Sequence, residues 1–463
     1  MRCLLAIATV LLAASTARAN PMDVYGMGAR SSSMGGAVTS DVEDFSANYH
    51  NPAGLVRGDE LRLSVGYLIS DLSMEINGVD SELETVRGMV FGLVAPGKIG
   101  DVEFAFGLGG HLNDHLLSRT LGRPPDEARW LLHDNRPHRI FLATTLAVRP
   151  VDWLLIGGGI AFQSRSSSQL GIRGDIAVDA GSMVTGEPSG IDPEAESRLE
   201  HSLKSELTTI RYPQVGIQIV PIPELSFGLA YRGEFELRVN LEAEVDGALD
   251  ARVIRGSPGI PIPAYFELVS DSINAFQPQQ LAFGTSYKPM ERLSINAEVT
   301  WVDWSAFKSP IGLSQIVLDI DVPPELPVDL NIPDEVQGSE PIPANFEDRW
   351  VPRVGVEYGA VRATAWDLDL RAGYFYEKSP MPNQVGLTNF VDTDRHVMSV
   401  GAGFALKDLE PTIDGWLRFD AFFQYAYLPK RETIKESLVN PVGDYWARGH
   451  MFTGGINAEV AFE

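Results

Sequence analysis

Past its first 19 residues this 463-residue chain contains no cysteine. The only one, Cys3, precedes an apolar stretch, so it is misplaced for a lipid-bearing cysteine at a cleavage point. The remainder of the chain can build no disulfide and no thiolate metal site. Positive charge is scarce as well: 37 lysines and arginines stand against 62 aspartates and glutamates. Such a surface repels phosphate backbones and excludes nucleic-acid binding. No apolar run after residue 19 approaches the roughly 20 residues that a membrane-crossing helix needs. A membrane barrel, however, hides its hydrophobicity in alternation, so this last absence does not exclude a membrane protein.

What is present begins with an export signal. Arg2 supplies a positive start, Leu4 to Ala14 an apolar core too short to span a bilayer, and Ala17-Arg18-Ala19 a small-residue cleavage site. Cleavage before Asn20 leaves 35 basic and 62 acidic residues, a net charge of −27. An exported chain of this length without disulfides needs another means of holding itself together.

Alternation supplies it. From Leu225 the odd positions read Leu225, Phe227, Leu229, Tyr231, Gly233, Phe235, Leu237, Val239 and Leu241, while Ser226, Gly228, Ala230, Arg232, Glu234, Glu236, Arg238 and Asn240 lie between them. Successive side chains of a strand point to opposite faces, so one face is greasy and the other charged. The runs from Leu293 to Trp301, Trp366 to Glu377 and Leu417 to Tyr427 repeat the pattern, and Trp301, Trp304, Trp366 and Tyr427 fall near segment ends, as in an interfacial girdle. Read throughout, the pattern predicts fourteen strands, at approximately 60–76, 85–96, 101–112, 138–150, 153–174, 207–220, 225–241, 277–289, 292–304, 350–361, 364–377, 395–407, 414–428 and 450–462. Short connections alternate with long ones at 77–84, 113–137, 175–206, 242–276, 305–349, 378–394 and 429–449. Short periplasmic turns, long outer loops and an even strand number are the signature of a barrel in the outer membrane of a Gram-negative cell. Phe462 is assigned to the lipid face. A soluble sandwich or propeller would not need the loop alternation, and no blade-length repeat is found.

Residues 20–58 do not alternate. They run Tyr25-Gly26-Met27-Gly28-Ala29 through Met34-Gly35-Gly36-Ala37 to Asn51-Pro52-Ala53-Gly54-Leu55. Glycines and small residues there permit close backbone packing. This run resembles the N-terminal hatch of the FadL family of outer-membrane transporters of long-chain fatty acids and hydrocarbons. The resemblance is specific over residues 25–55 and architectural beyond them. It implies an all-β fold, a fourteen-stranded antiparallel transmembrane β-barrel over 59–463, with a lumenal hatch at 20–58 after the signal at 1–19. It also implies that Asn51, Pro52 and Ala53 help plug the lumen. The implied activity is uptake of hydrophobic small molecules by passive diffusion, with sideways exit through a gap at a kinked third strand. Gly107, Gly109 and Gly110 sit in that strand and are the candidates for such a gate; glycine within a strand marks a bulge, or room for a plug against the wall.

Other residues are weighed on their chemistry. Charges of both signs are placed toward the lumen, and Arg232, Arg238, Arg371 and Arg418 are candidates to hold a fatty carboxylate, although cross-strand ion pairing is the commoner role of such residues. His111, His115, His133 and His138 cluster around one outer loop, where histidines usually face solvent, so no metal site is expected, and no cofactor. Glu127 to Leu132 has the makings of a short amphipathic helix at the membrane surface. The 305–349 loop carries seven prolines and a strong acidic excess, which disfavours free carboxylates as solutes relative to neutral hydrocarbons or esters. The serines and histidines form no recognisable nucleophile–base constellation, so no enzyme activity is expected. The expected partners are a hydrophobic solute, outer-membrane lipid and lipopolysaccharide, around a monomeric barrel. The alternatives are a general porin, or a barrel that transports nothing and serves surface assembly or display.

Overall fold

A strand in hydrocarbon has no water to satisfy its backbone, so a sheet that crosses a membrane must close on itself. This one does. The computed structural model describes residues 22–115, 127–134, 140–179, 190–191, 198–252, 260–308, 313–320, 335–336, 343–407, 409, 411, 414–437 and 439–462; the side chains of Asp23 and of 164–208, 235–275 and 313–336 are not among them. The proposed signal at 1–19 therefore lies outside the described residues, as does most of the 305–349 loop.

The fourteen barrel strands are β1 (Leu61–Ile76), β2 (Val86–Ile99), β3 (Val102–Asn113), β4 (Phe141–Val151), β5 (Leu154–Asp179), β6 (Arg198–Ile222), β7 (Leu225–Arg232), β8 (Gln280–Met290), β9 (Leu293–Val302), β10 (Arg349–Arg362), β11 (Trp366–Glu377), β12 (Arg395–Leu406), β13 (Gly415–Thr433) and β14 (Tyr445–Phe462). Each pairs antiparallel with its sequence neighbours. The ring closes where β1 meets β14, with Leu61 opposite Phe462 and Ile76 opposite Ala447.

The two faces of the wall are reversed relative to a soluble protein. Leu63, Val65, Ile69, Leu229, Phe283, Leu370, Phe423 and Ile456 are exposed on the outside, while Ser70, Gln218, Asn296, Arg371 and Thr453 are buried inside. An apolar belt of that extent is tolerable only against lipid. No helix among the described residues is long and apolar enough to cross a membrane. Phe462 is on the outer, lipid-facing surface, as assigned from the sequence.

Three expectations need correction. The strand expected over 225–241 breaks after Arg232, where Gly233 donates its N–H to Pro213 O at 2.8 Å. The connections expected at 242–276 and 175–206 contain long ladders: Phe235–Arg252 pairs with Ile260–Gln277, and β5 stays paired with β6 out to Asp175 opposite Arg198. Alternating sequence keeps pairing whether lipid or water surrounds it, so the strands outrun the bilayer. Trp304, assigned to the girdle, is wholly buried in the lumen; it sits on a 3-10 turn, Trp304–Ala306, where the two-residue period of the strand no longer applies.

This topology can be tested from both sides of the membrane and from within it. Val79→Cys, at an exposed outer turn, should be labelled on intact cells by an impermeant thiol reagent, and Asp152→Cys, in the short β4–β5 turn, should not. Val65→Arg, on the lipid face of β1, should cost about 2–4 kcal/mol of barrel stability near the bilayer midplane, read by urea unfolding followed as heat-modifiable gel mobility.

Candidate functional site

A fourteen-stranded ring is too wide for its own side chains to fill, and here residues 22–57 occupy the space. Short helices at Met22–Tyr25, Ala29–Ser33 and Ala47–His50 lead to a 3-10 helix at Pro52–Arg57. Small side chains make these turns thin enough to fit. Nearly all of their residues are buried, and hydrogen bonds tie them to the wall around most of its circumference. Arg149 of β4 donates to Val56 O at 2.8 Å, Gln214 of β6 to Asn48 O at 2.6 Å, and Ser226 of β7 to Ser40 O at 2.9 Å. Asn296 of β9 donates to Ala37 O at 2.8 Å, Ser399 of β12 to Ser33 O at 2.9 Å, and Gln424 of β13 to Ser32 O at 2.7 Å. Asn457 of β14 accepts from the Ala29 N–H at 2.9 Å.

The Asn51 side chain makes three bonds. Its Oδ1 accepts from the Ala53 N–H at 3.1 Å, capping the 3-10 helix that Pro52 opens. Its Nδ2 donates to Thr39 O at 2.7 Å and to Ile217 O of β6 at 3.1 Å. One amide thus starts a turn, folds the segment back on itself and docks it, while Ala53 is fully buried.

Below this segment the lumen is ionic. Arg30 makes two contacts with Glu357 of β10, at 3.1 and 3.2 Å, and one with Asp41 at 3.1 Å. Glu357 also accepts from Arg371, which reaches Asp420 at 2.6 Å; Arg418 holds Asp369 at 2.6 Å and Asp420 at 2.9 Å. Arg30, Asp41, Glu357, Asp369, Arg418 and Asp420 line a cavity of about 360 Å³ together with Arg57, Arg62 and Lys288, toward the end of the barrel where the short turns lie. Arg371 has no exposed side-chain surface, so removing one of its partners would leave a buried charge uncompensated, at a typical cost of about 3–5 kcal/mol.

Above the segment an apolar cluster shares the lumen with a buried group of ion pairs, Arg349 and Arg395 on Glu377. Tyr25, Leu68, Trp130, Phe276, Trp304 and Phe375 belong to one buried cluster that runs from the N-terminal segment through the wall to the outer loops. At its lower boundary lies a cavity of about 30 Å³ between Tyr49, His50, Arg232, Arg353 and Phe375. Burial, and then the neighbouring Arg232 and Arg353, push the His50 imidazole well below its ordinary pKa, so it is neutral.

The structure scatters the residues singled out from the sequence. Arg232 faces the lumen, donating to Gln280 Oε1 at 2.6 Å and lying 4.6 Å from the Tyr49 ring centroid. Arg371 and Arg418 are in the ionic layer, far from any common site with it, and the side chain of Arg238 lies outside the described residues. Around Gly107, Gly109 and Gly110 the ladders of β3 with β2 and β4 run without a register shift, so the pairing is continuous there. The glycines answer to packing instead. A Cβ on Gly107 would fall 2.4 Å from Asn48 Oδ1 and 2.6 Å from Leu55 Cδ1, one on Gly109 would fall 2.8 Å from Met27 Cε, and one on Gly110 would meet the Phe91 ring. His111 and His133 are buried and His115 is exposed, while His138 lies outside the described residues; no group of ligating side chains among the described residues could hold a metal. The helix expected at 127–132 is Leu131–Asp134, and Trp130, Leu131 and Leu132 turn into the lumen rather than onto the membrane surface. Sequence reasoning passed over Arg30 and Arg353, both of which tie the N-terminal segment to the wall; no periodic signal marks either role.

Comparison with known proteins sets this architecture in context. Residues 5–437 match the family model described as outer membrane protein transport protein (OMPP1/FadL/TodX). Alkane uptake protein A of Marinobacter nauticus is 23% identical over 431 residues, covering 89% of this chain and 85% of its own. The crystal structure of a Pseudomonas aeruginosa FadL homologue superposes with a TM-score of 0.56 at 15% identity, covering 94% of this chain and 98% of the other. The P. putida toluene transporter TodX gives 0.51 at 15% identity, over 95% and 100%.

The close approach of N-terminal segment and wall generates a test. A Cβ on Gly228 of β7 would lie 2.2 Å from Thr39 O and 2.5 Å from Thr39 C, backbone atoms that cannot swing aside. Gly228→Val should dislodge the segment, exposing 22–58 to added protease and raising single-channel conductance. Gly158→Ala, whose nearest neighbour would be 3.5 Å away, should do neither.

Proposed function

The chain belongs to the OMPP1/FadL/TodX family of outer-membrane transport proteins, and from that premise we propose that it is a monomeric channel for passive uptake of neutral hydrophobic small molecules, alkanes or related hydrocarbons, with residues 20–58 as its hatch. The observation that carries this reading is the apolar cluster inside the outer half of a membrane barrel, an arrangement that suits an apolar solute and wastes a water-filled pore. Each CH₂ moved from water into such an interior gains about 0.8 kcal/mol. The name of the Marinobacter relative points to the same class of solute.

Neutral solutes are favoured over fatty carboxylates because Arg371 and Arg418 already hold carboxylates of the wall. The ionic cup beneath the hatch is a poor axial path for a hydrocarbon, which supports exit sideways into lipid. We put that exit beside β3, where Gly107 and Gly109 leave bare backbone between hatch and membrane; the closed ladder there would have to open. A general porin would have no use for the hatch. The outward apolar residues on strands around the ring support a barrel bathed in outer-membrane lipid and lipopolysaccharide as a monomer.

The test is uptake into proteoliposomes of a labelled alkane and a labelled long-chain fatty acid at low and high salt. The alkane should enter faster than through protein-free vesicles, and its rate should not change with salt. Uptake of the fatty acid alone, or of neither, would overturn the reading. Deleting residues 20–58 should raise conductance in planar bilayers if the barrel inserts, and an inserted deletion that conducts no better than the parent would show that the segment is not a hatch.

A further inference from the structure

Two chain segments that leave the outer rim at distant points meet over the apolar cluster. One, 127–134, comes after β3; the other, 378–394, joins β11 to β12. The Arg129 N–H donates to Asn389 O at 3.1 Å and the Val391 N–H to Arg129 O at 2.8 Å, so Arg129 and Phe390 form an isolated parallel bridge. The Arg129 guanidinium lies 6.0 Å from the Phe390 ring centroid, and His133 Nε2 is 3.6 Å from Asp392 Oδ1. Beneath the junction, Trp130, Leu131 and Leu132 from one arm and Met381, Phe390 and Val391 from the other pack into the same apolar cluster as the wall. The second arm is fixed to β13 by Arg431, which donates to Met381 O at 2.8 Å and to Asp392 O at 3.2 Å.

We propose that these arms form a lid, closed in this structure, and that the Arg129–Phe390 seam must part before a solute enters; the proposal rests on the uptake reading. Two features point to a seam rather than permanent packing. Side chains fill the space below it: Trp130 and Trp304 are wholly buried, and the cavities at the seam and above the hatch measure about 20 and 30 Å³. Small-molecule sites run to about 300 Å³ or more, so admission of a solute requires this region to expand. The seam is also a single bridge between two arms, where the wall has continuous ladders. Short pairings of this kind are where local opening begins.

A reversible lock tests it. Bridged neighbours have the Cα separation a disulfide needs, and the chain past Cys3 offers no competing thiol. Arg129→Cys with Phe390→Cys, in the full-length barrel, should cross-link on oxidation. The oxidised form should lose alkane uptake and show slower hydrogen exchange at the hatch amides of 22–33, and reduction should restore both. A folded barrel in which the pair does not cross-link would show that the arms are not joined there. A cross-linked barrel with undiminished uptake would show that the seam need not open. If the parent itself takes up no alkane, the uptake reading fails by itself, and the lid is judged on exchange: no slowing on oxidation overturns it.

Discussion

Every N–H and C=O of a chain in hydrocarbon needs a partner, and the rest of this molecule is arranged around meeting that demand. The ladder satisfies it only by closing, through the register that sets Leu61 against Phe462. Closure with fourteen strands encloses more space than inward side chains can occupy. The N-terminal segment fills it, and the inward face of the wall is shaped for that segment: polar where its carbonyls need donors, bare where its backbone comes close. Asn296, Gln214 and Gln424 serve the first need, Gly228 and Gly373 the second.

The lumen is consequently layered. Above the N-terminal segment, aromatic and aliphatic side chains from wall, loops and segment form an apolar cluster beside the ion pairs of Arg349 and Arg395 with Glu377; below it, alternating charges run from Asp41 through Arg30, Glu357 and Arg371 to Asp420 and Arg418. The apolar cluster and the ionic layer prefer different contents, and the N-terminal segment is the boundary between them. A hydrocarbon that reaches this boundary gains nothing by going on along the axis.

Much of this was legible in the sequence because a strand between lipid and lumen must alternate at every second residue. Leu225 to Arg232 and Trp366 to Glu377 show the period plainly, and their faces are as read. Where the period stops, the reading stops: Trp304 lies past the last residue of its strand and turns inward, and Trp130 precedes, while Leu131 and Leu132 open, a helix of one turn whose direction no pattern states. The glycines of β3 were ambiguous for another reason. A bare stretch that bends and a bare stretch that admits a neighbour look alike in one dimension, and Asn48, Leu55 and Met27 come opposite them only in the fold. The ionic layer hid its pairing in the same way, since Arg371 and Asp420 are joined through register and not through spacing.

The placement of the N-terminal segment also constrains time. Its residues precede β1 in the chain yet bond to β4, β6, β7, β9, β12, β13 and β14. A finished cylinder with β1 already joined to β14 would offer this segment only an open end through which to thread many buried bonds. The segment's anchoring is therefore complete only once the last strand is in place, since the Ala29 N–H is held by Asn457: the first residues of the barrel wait on the final ones.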